Sequence, residues 1–331
     1  MNDTGKIELG RLWNIVLLLA DGETHSGESL GGLLGVSRAA VWKNLKKLEN
    51  FGVNLSAVKG RGYCIDGGLD LLDKEKIESH LQVNNGLNLQ VFPQLDSTNS
   101  FLLRQSNPAM QVCLAEFQSA GRGRRGRAWA SPLAQNIYCS IGWGFEGGVA
   151  ALEGLSLAIG VTIVRALKKF GVNDLVLKWP NDVLYKGKKL AGILIEIMGD
   201  PAGYCQVVVG VGLNISMKPD HSNSIDQPWI ALNSILAEQS LPPASRNRLV
   251  AALVDEQVRL LRDYHLTGFS CYQLEWMQQG AYLGSLVELR NGQQVVSGTF
   301  LGVTKAGALC LEIDGVEQVF HGGEISLRLA P

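Results

Sequence analysis

Seven consecutive residues, Gly121-Arg122-Gly123-Arg124-Arg125-Gly126-Arg127, carry four arginines, three glycines and no acid. Four guanidinium groups buried together would each need a partner, so the stretch cannot be core. Three glycines, each about 1 kcal/mol worse than alanine, also make it a poor helix. What remains is a loop that brings backbone N–H groups and planar cations to an anion. Further along, Lys178-Trp179-Pro180-Asn181-Asp182, Lys189 and Asn214 place polar and charged side chains at the ends of apolar runs. An ion pair alone would account for Asp182 and Lys189, but beside a tetra-arginine loop they point to a phosphate site. Asp96-Ser97-Thr98-Asn99 precedes a helical pattern, and Asp96 or Ser97 should cap that helix. Capping explains all four residues; small donor–acceptor side chains at a helix N-terminus also suit a neutral, multiply polar ligand such as a urea or amide.

Gly121-x-Gly123-x-x-Gly126 matches the dinucleotide-binding fingerprint, which requires a helix opening on the last glycine. Here Arg127-Ala128-Trp129-Ala130-Ser131-Pro132 follows, and Pro132 disfavours helix at Ser131. Arginine at all three x positions suits a charge clamp, and without Gly-Lys-Ser/Thr there is no Walker loop.

The elements that must position these residues are set by apolar periodicity. A chain of 331 residues with net charge −1 is long enough for two or three domains and has no global pull toward nucleic acid or membrane, so any basic site is local. Six scattered cysteines without C-x-x-C read as reduced core thiols in a cytoplasmic protein. No signal peptide is expected, and the early apolar run from Ile15 to Ala20 is too short to span a bilayer.

At the N-terminal end, Leu9, Leu12, Trp13, Val16, Leu17 and Ala20 predict a helix over 8–20. Ser26 should cap a second helix over 27–34 and Ser37 a third that ends near Gly52. The third helix faces inward with Val41, Leu45 and Leu48, and outward with Arg38, Lys43, Asn44 and Lys47. Two short strands, 53–58 and 62–66, follow around Lys59-Gly60-Arg61-Gly62. Three helices and a hairpin with a basic tip are the order of a winged helix-turn-helix. From Arg38 to Arg61 there are six basic residues and one acid, the footprint that phosphate contacts require.

The expected organisation is 1–68 winged helix-turn-helix, 69–76 linker, 77–282 catalytic domain and 283–331 a small β-barrel. Apolar runs with hairpin-length gaps predict a mixed or mostly antiparallel catalytic sheet with helices on one face, an α+β core. The turn signals Asn291-Gly292, Ala306-Gly307, Asp314-Gly315 and Gly322-Gly323 mark five short strands in the last domain.

Three core motifs in this order resemble those of biotin–protein ligases: Ala115 to Trp129 with its arginine loop; Lys178-Trp179-Pro180-Asn181-Asp182 with Lys189-Leu190-Ala191-Gly192-Ile193-Leu194-Ile195-Glu196; and Gly210-Val211-Gly212-Leu213-Asn214. At the N-terminal end, His25-Ser26-Gly27-Glu28 and Ser37-Arg38-Ala39-Ala40 resemble the bifunctional bacterial type, which also represses the biotin operon. The resemblance implies a biotin–lipoate ligase-like (class II synthetase-like) core and an SH3-like C-terminal barrel. It implies synthesis of biotinyl-5′-AMP from biotin, ATP and Mg2+, with no dedicated protein metal site. Biotin would then pass to a lysine of the biotin carboxyl carrier protein, and the adenylate-bound homodimer would bind biotin operator DNA.

Residue by residue, the resemblance assigns Ser97, Thr98, Asn99 and Gln118 to the ureido ring and tail of biotin. Arg122, Gly123 and Arg124 would hold its carboxylate and the phosphates, with Lys189 near the carboxylate and α-phosphate. Asn181 and Asn214 would serve the nucleotide and its metal, Trp129 would line the nucleotide site, and Trp229 of the polar loop 216–231 would pack on adenine. Arg124, Lys189 and Asp182 are the catalytic candidates, Asp182 as the group that orients or deprotonates the incoming lysine. Ser37, Arg38, Ala39, Lys43, Asn44, Lys47, Lys59 and Arg61 would meet DNA. Two departures stand out: Ala134 occupies a position where relatives commonly have glycine, strained if φ is positive there, and Ala128 replaces a common lysine. The competing readings are a ligase without repressor activity, a ligand-sensing repressor without catalysis, and a lipoate-type ligase.

Overall fold

A computed structural model describes residues 9–83, 86–218, 225, 227–291, 294–322 and 325–330. Of the predicted loop 216–231, residues 219–224 and 226 lie outside the described residues, as do Gly292 and Gly323 of the predicted turns.

The N-terminal region forms α1 (Leu9–Leu19), α2 (Gly27–Leu34) and α3 (Arg38–Leu48), then a hairpin of β1 (Leu55–Val58) and β2 (Gly62–Ile65). Ser26 accepts from the Ser29 N–H and Ser37 from the Ala40 N–H, so both expected caps form. The inward face of α1 differs from expectation: Ile15 and Leu19 are buried with Leu9, Leu12 and Val16, while Leu17 is half exposed. The packing partner of α1 rotates its apolar stripe by part of a turn, which a helix rich in leucine on several sides permits.

Next come α4 (Lys74–His80), β3 (Asn88–Leu95), α5 (Thr98–Leu103), β4 (Gln111–Gln118), β5 (Asn136–Phe145) and α6 (Leu155–Lys168). They are followed by β6 (Leu175–Lys178), β7 (Asp182–Tyr185), β8 (Lys188–Gly199), β9 (Cys205–Asn214), α7 (Leu232–Glu238), α8 (Arg246–Thr267) and α9 (Ser270–Gln278). One seven-stranded sheet runs β3-β4-β5-β9-β8-β7-β6. It is mixed: β3 and β4 are parallel and every other neighbour is antiparallel. Val207, Val209 and Val211 of β9 join the large core with α6 and α8. Val208 points the other way, against Leu102 of α5 and Cys113. Helices therefore cover both faces rather than one, because strand side chains alternate and β9 is apolar on each side. The stretch Val149–Lys168 is long and apolar enough to cross a membrane, but most of it is buried inside the fold, where α6 packs on α8 and the sheet.

The remaining strands, β10 (Leu286–Asn291), β11 (Gln294–Val303), β12 (Leu309–Ile313), β13 (Val316–Phe320) and β14 (Ile325–Leu329), form one antiparallel sheet in the order β13-β12-β11-β10-β14. The expected barrel is not closed: β13 and β14 remain edges among the described residues. Turn residues fix each hairpin locally, whereas closure depends on a pairing between strands far apart in sequence. Five of the six cysteines are buried as expected, and Cys271 is exposed.

The regions are joined by specific contacts. The Leu133 N–H donates to the Phe51 carbonyl at 2.8 Å, and the Phe51 and Phe117 rings meet edge to face at 4.9 Å. Arg246 and Glu116, both almost fully buried, pair at 2.8 Å. Arg246 also donates to Asp70, and Glu116 accepts from the Leu72 N–H, which fastens the linker to the sheet. Ala134 has φ 57°, so the position does demand the left-handed region, and alanine meets that demand with strain.

Candidate ligand and catalytic site

Two cavities lie on the α5 face of the sheet and meet at Trp129. Ser97, Thr98, Asn99, Gln118, Arg122 and Lys189 are among the residues lining the smaller. Ser97 caps α5 by accepting from the Ser100 N–H, and its own N–H donates to Asp96. Arg104 grips Asp96 with two bonds, 2.7 and 2.9 Å, and holds its carboxyl below the usual aspartate range. The floor is possible because β9 has Gly210 and Gly212 there: a Cβ on Gly210 would stand 2.1 Å from Asn99 Oδ1, and one on Gly212 2.3 Å from the Trp129 indole. These glycines let a polar amide and an aromatic plate lie flat on the sheet.

The larger cavity continues beyond Trp129 and is lined by Arg124, Arg127, Lys178, Asn181, Asp182, Lys189, Asn214 and Trp229, and by Tyr282 and Arg328 from the C-terminal side. No helix follows Gly126, which removes the dinucleotide reading. The loop is a short 3-10 turn over Arg124–Gly126, closed by an antiparallel bridge between Arg122 and Ala128. Arg124 donates to Asn181 Oδ1 at 3.0 Å, and burial lowers its pKa. Asn181 Nδ2 donates to the Ile193 carbonyl at 2.9 Å, so its oxygen is turned toward the arginine. Lys189 Nζ stands 2.8 Å from Asp182 Oδ1, an ion-pair distance without hydrogen-bond alignment, and 5.3 Å from the centre of the Trp129 ring. Lys178 lies opposite Asp182 across the β6–β7 pair. Burial lowers its pKa first; Asp182 opposes that shift, while Lys189, Arg328 and Arg127 add to it. Cations thus outnumber the one carboxylate here, and the site is short of negative charge.

The structure brings together Arg124, Asn181, Asp182, Lys189 and Trp129 as the sequence suggests, with Ser97, Thr98, Asn99 and Gln118 beside them. Asn214 lines the larger cavity while its amide staples the Lys189 and Ile230 carbonyls, each at 3.4 Å. Trp229 reaches the same place through a bridge to Lys189. The Arg122 side chain does not join the phosphate-side cluster; it pairs with Glu196 at 2.6 Å, and Gly123 lines both cavities. Among the residues missed in sequence, Lys178 had a signal in its place before Trp179-Pro180-Asn181-Asp182. Ser140, Glu196, Tyr282 and Arg328 had none, since each is brought in from a distant strand or from the C-terminal region. In the N-terminal domain Arg38, Ala39, Lys43 and Arg61 are exposed, Asn44, Lys47 and Lys59 half-buried, and Ser37 is occupied as a cap.

Residues 91–214 match the biotin/lipoate A/B protein ligase family, residues 11–64 the HTH domain, and residues 282–328 the biotin protein ligase C-terminal domain. The bifunctional ligase/repressor BirA of Salmonella typhimurium is 41% identical over 318 residues, covering 96% of this chain and 97% of that protein. BirA of Escherichia coli is 39% identical with the same coverage. The chain belongs to the bifunctional biotin ligase/repressor family. A structure of the biotin protein ligase from Aquifex aeolicus in complex with biotin and ATP shares its fold, with a TM-score of 0.63 at 24% identity over 73% of this chain and 99% of that one. As a biotin ligase/repressor, the chain is a ligase with a helix-turn-helix domain at one end and the ligase C-terminal domain at the other.

Proposed function

We propose that the chain joins biotin to ATP and passes it to a lysine of the biotin carboxyl carrier protein, and that the adenylate-bound homodimer represses at biotin operator DNA. The observation that carries the catalytic half is the junction at Trp129, where a neutral hydrogen-bonding cavity opens into a cleft with excess positive charge. Biotin has that polarity: a neutral cyclic urea at one end and a carboxylate at the other.

In the first step a biotin carboxylate oxygen attacks the α-phosphorus. The new O–P bond forms as the bond to pyrophosphate breaks. Two anions must approach, and Lys189, Lys178 and Arg124 offset that repulsion and stabilise charge on the phosphoryl oxygens. Among the described residues no group of three His, Cys, Asp or Glu side chains is placed to hold a metal. Magnesium is therefore assigned to the nucleotide as MgATP, with Asp182 and the amide oxygen of Asn181 beside it. In the second step the carrier lysine nitrogen attacks the biotinyl carbonyl, the C–O bond to AMP breaks, and a proton leaves the amine. Asp182 is the acceptor positioned for that proton. A cytoplasmic setting is supported by six free cysteines.

Labelled biotin, MgATP and apo carrier protein test the ligase half: label should become acid-stable on the carrier, and no transfer sinks the reading. A duplex-DNA mobility shift that needs biotin and ATP and weakens with salt tests the repressor half. Sedimentation with and without both ligands tests the dimer.

A further inference from the structure

The polar wall of the smaller cavity is a chain of hydrogen bonds whose direction is set at one end. Glu196 Oε2 accepts from Arg122 Nη2 at 2.6 Å and from Asn99 Nδ2 at 2.9 Å. A carboxylate paired with a guanidinium has no proton to give. The Asn99 amide must therefore turn Nδ2 toward Glu196 and Oδ1 away from it. Ser140 Oγ lies 2.6 Å from that Oδ1. An amide oxygen only accepts, so the single Ser140 proton goes to Asn99. Thr98 Oγ1 is 2.7 Å from Ser140 Oγ, and with the Ser140 proton committed, Thr98 is the donor of that bond.

Thr98 has then spent its own proton, yet its oxygen stands 3.2 Å from Gln118 Oε1. Gln118 cannot turn to offer its NH2. Its Nε2 donates to Ser131 Oγ at 2.9 Å, Ser131 donates onward to the Trp129 carbonyl at 3.0 Å, and its Oε1 takes the Thr98 backbone N–H at 2.9 Å. Two acceptor oxygens thus face each other, one proton short, in the wall of the cavity.

We propose that Glu196 is the positioning residue that makes this cavity select a cyclic urea. By fixing the direction of the chain it leaves Thr98 Oγ1 and Gln118 Oε1 to be bridged by a ureido N–H of biotin. The inference rests on the biotin reading of the cavity. A carboxylic acid of similar length without an N–H, such as octanoate, leaves the acceptor pair unsatisfied and is rejected for that reason.

The test is Glu196→Gln. A glutamine at this position can donate, so the Asn99 amide turns over, Ser140 donates to Thr98, and Thr98 donates to Gln118. The chain then completes itself without ligand. In biotin adenylation at saturating MgATP, KM for biotin should rise about 10- to 100-fold while kcat stays within about threefold. Asn99→Asp combined with Glu196→Gln restores the direction, because the carboxylate at position 99 again takes the Ser140 proton while the glutamine donates to its other oxygen. That double variant should bring KM back to within about threefold of the unaltered protein. Ser140→Ala, which frees the Thr98 hydroxyl to donate to Gln118, should raise KM in the same way. An unchanged KM in Glu196→Gln, or a double variant no better than the single one, overturns the proposal. If Glu196→Gln melts early and loses kcat with KM, Ser140→Ala decides: a raised KM at normal melting temperature supports the directional chain and an unchanged KM overturns it. Failure of the unaltered protein to adenylate biotin at all would instead remove the reading on which the inference rests.

Discussion

Of the two cavities that meet at Trp129, the smaller, of ≈ 50 Å³, presents oxygens and amides of Ser97, Thr98, Asn99 and Gln118. The larger, of ≈ 600 Å³, presents Arg124, Arg127, Lys178, Lys189 and Arg328 around Asp182. The first recognises by the direction of hydrogen bonds, which is worth most where water is excluded and each proton is accounted for. The second recognises by charge, which tolerates a wider, wetter space because Coulomb attraction falls off slowly with distance. One ligand that is neutral at one end and anionic at the other needs both.

The contrast can be broken by changes confined to one side. Lys189→Gln should give the largest effect, a fall in adenylation kcat of about 10³-fold, since it removes a cation aimed at charge that develops in the transition state. Equilibrium binding of biotin alone should change far less; an equal loss of both would mean that the two cavities are not separable. Gly212→Ala attacks the partition itself, because its methyl would collide with the Trp129 indole. Adenylation should fall about 100-fold, with KM for biotin and for ATP rising together; a change in only one KM would place Trp129 on that side alone. Asp182→Asn should slow transfer from preformed adenylate about 10- to 100-fold. If transfer were unchanged, Asp182 would have no role as proton acceptor.

A smaller effect sharpens the charge side. Lys178 has a pKa below the ordinary lysine value of 10.5, chiefly through burial. Phosphate binds the protonated amine, so raising the pH through the lowered pKa forces proton uptake on binding and weakens ATP affinity. The decline should begin below pH 10.5 by isothermal titration and flatten in Lys178→Met. Biotin affinity measured without nucleotide should not follow it. The smallest effect belongs outside both cavities, at Ala134→Gly. Relief of about 1 kcal/mol of left-handed strain nearly offsets loss of about 0.8 kcal/mol from one buried methyl. The melting temperature should move by less than about 2 °C and neither KM should change.

Features that arise within a few residues are legible in the amino-acid sequence. Ser26, Ser37 and Ser97 cap helices three residues away, and Gly35 ends α2 with φ 65°. Pro132 marks the absence of a helix after the arginine loop, and alanine in place of glycine at position 134 points to strain where φ is positive. The face that α1 buries, the second face of the sheet and the open edges at β13 and β14 are not legible there, since each depends on which distant surface packs or pairs. Arg122 escapes a local reading for the same reason: its sequence neighbours are the arginines of the phosphate side, whereas its partner Glu196 lies 74 residues away.

The sequence by itself determined the chemistry available to this protein: a glycine-rich cationic loop, a lysine and an aspartate at strand ends, and a row of small hydroxyl and amide side chains, in an order that resembles biotin–protein ligases. Only the tertiary structure decided how that chemistry is aimed. Hydrogen-bond direction is a property of the whole chain of contacts, and this one joins Asn99 to Ser140, 41 residues away, and to Glu196, 97 residues away. No local pattern records which of two oxygens keeps a proton; that is settled when a carboxylate from one strand closes the chain begun on another.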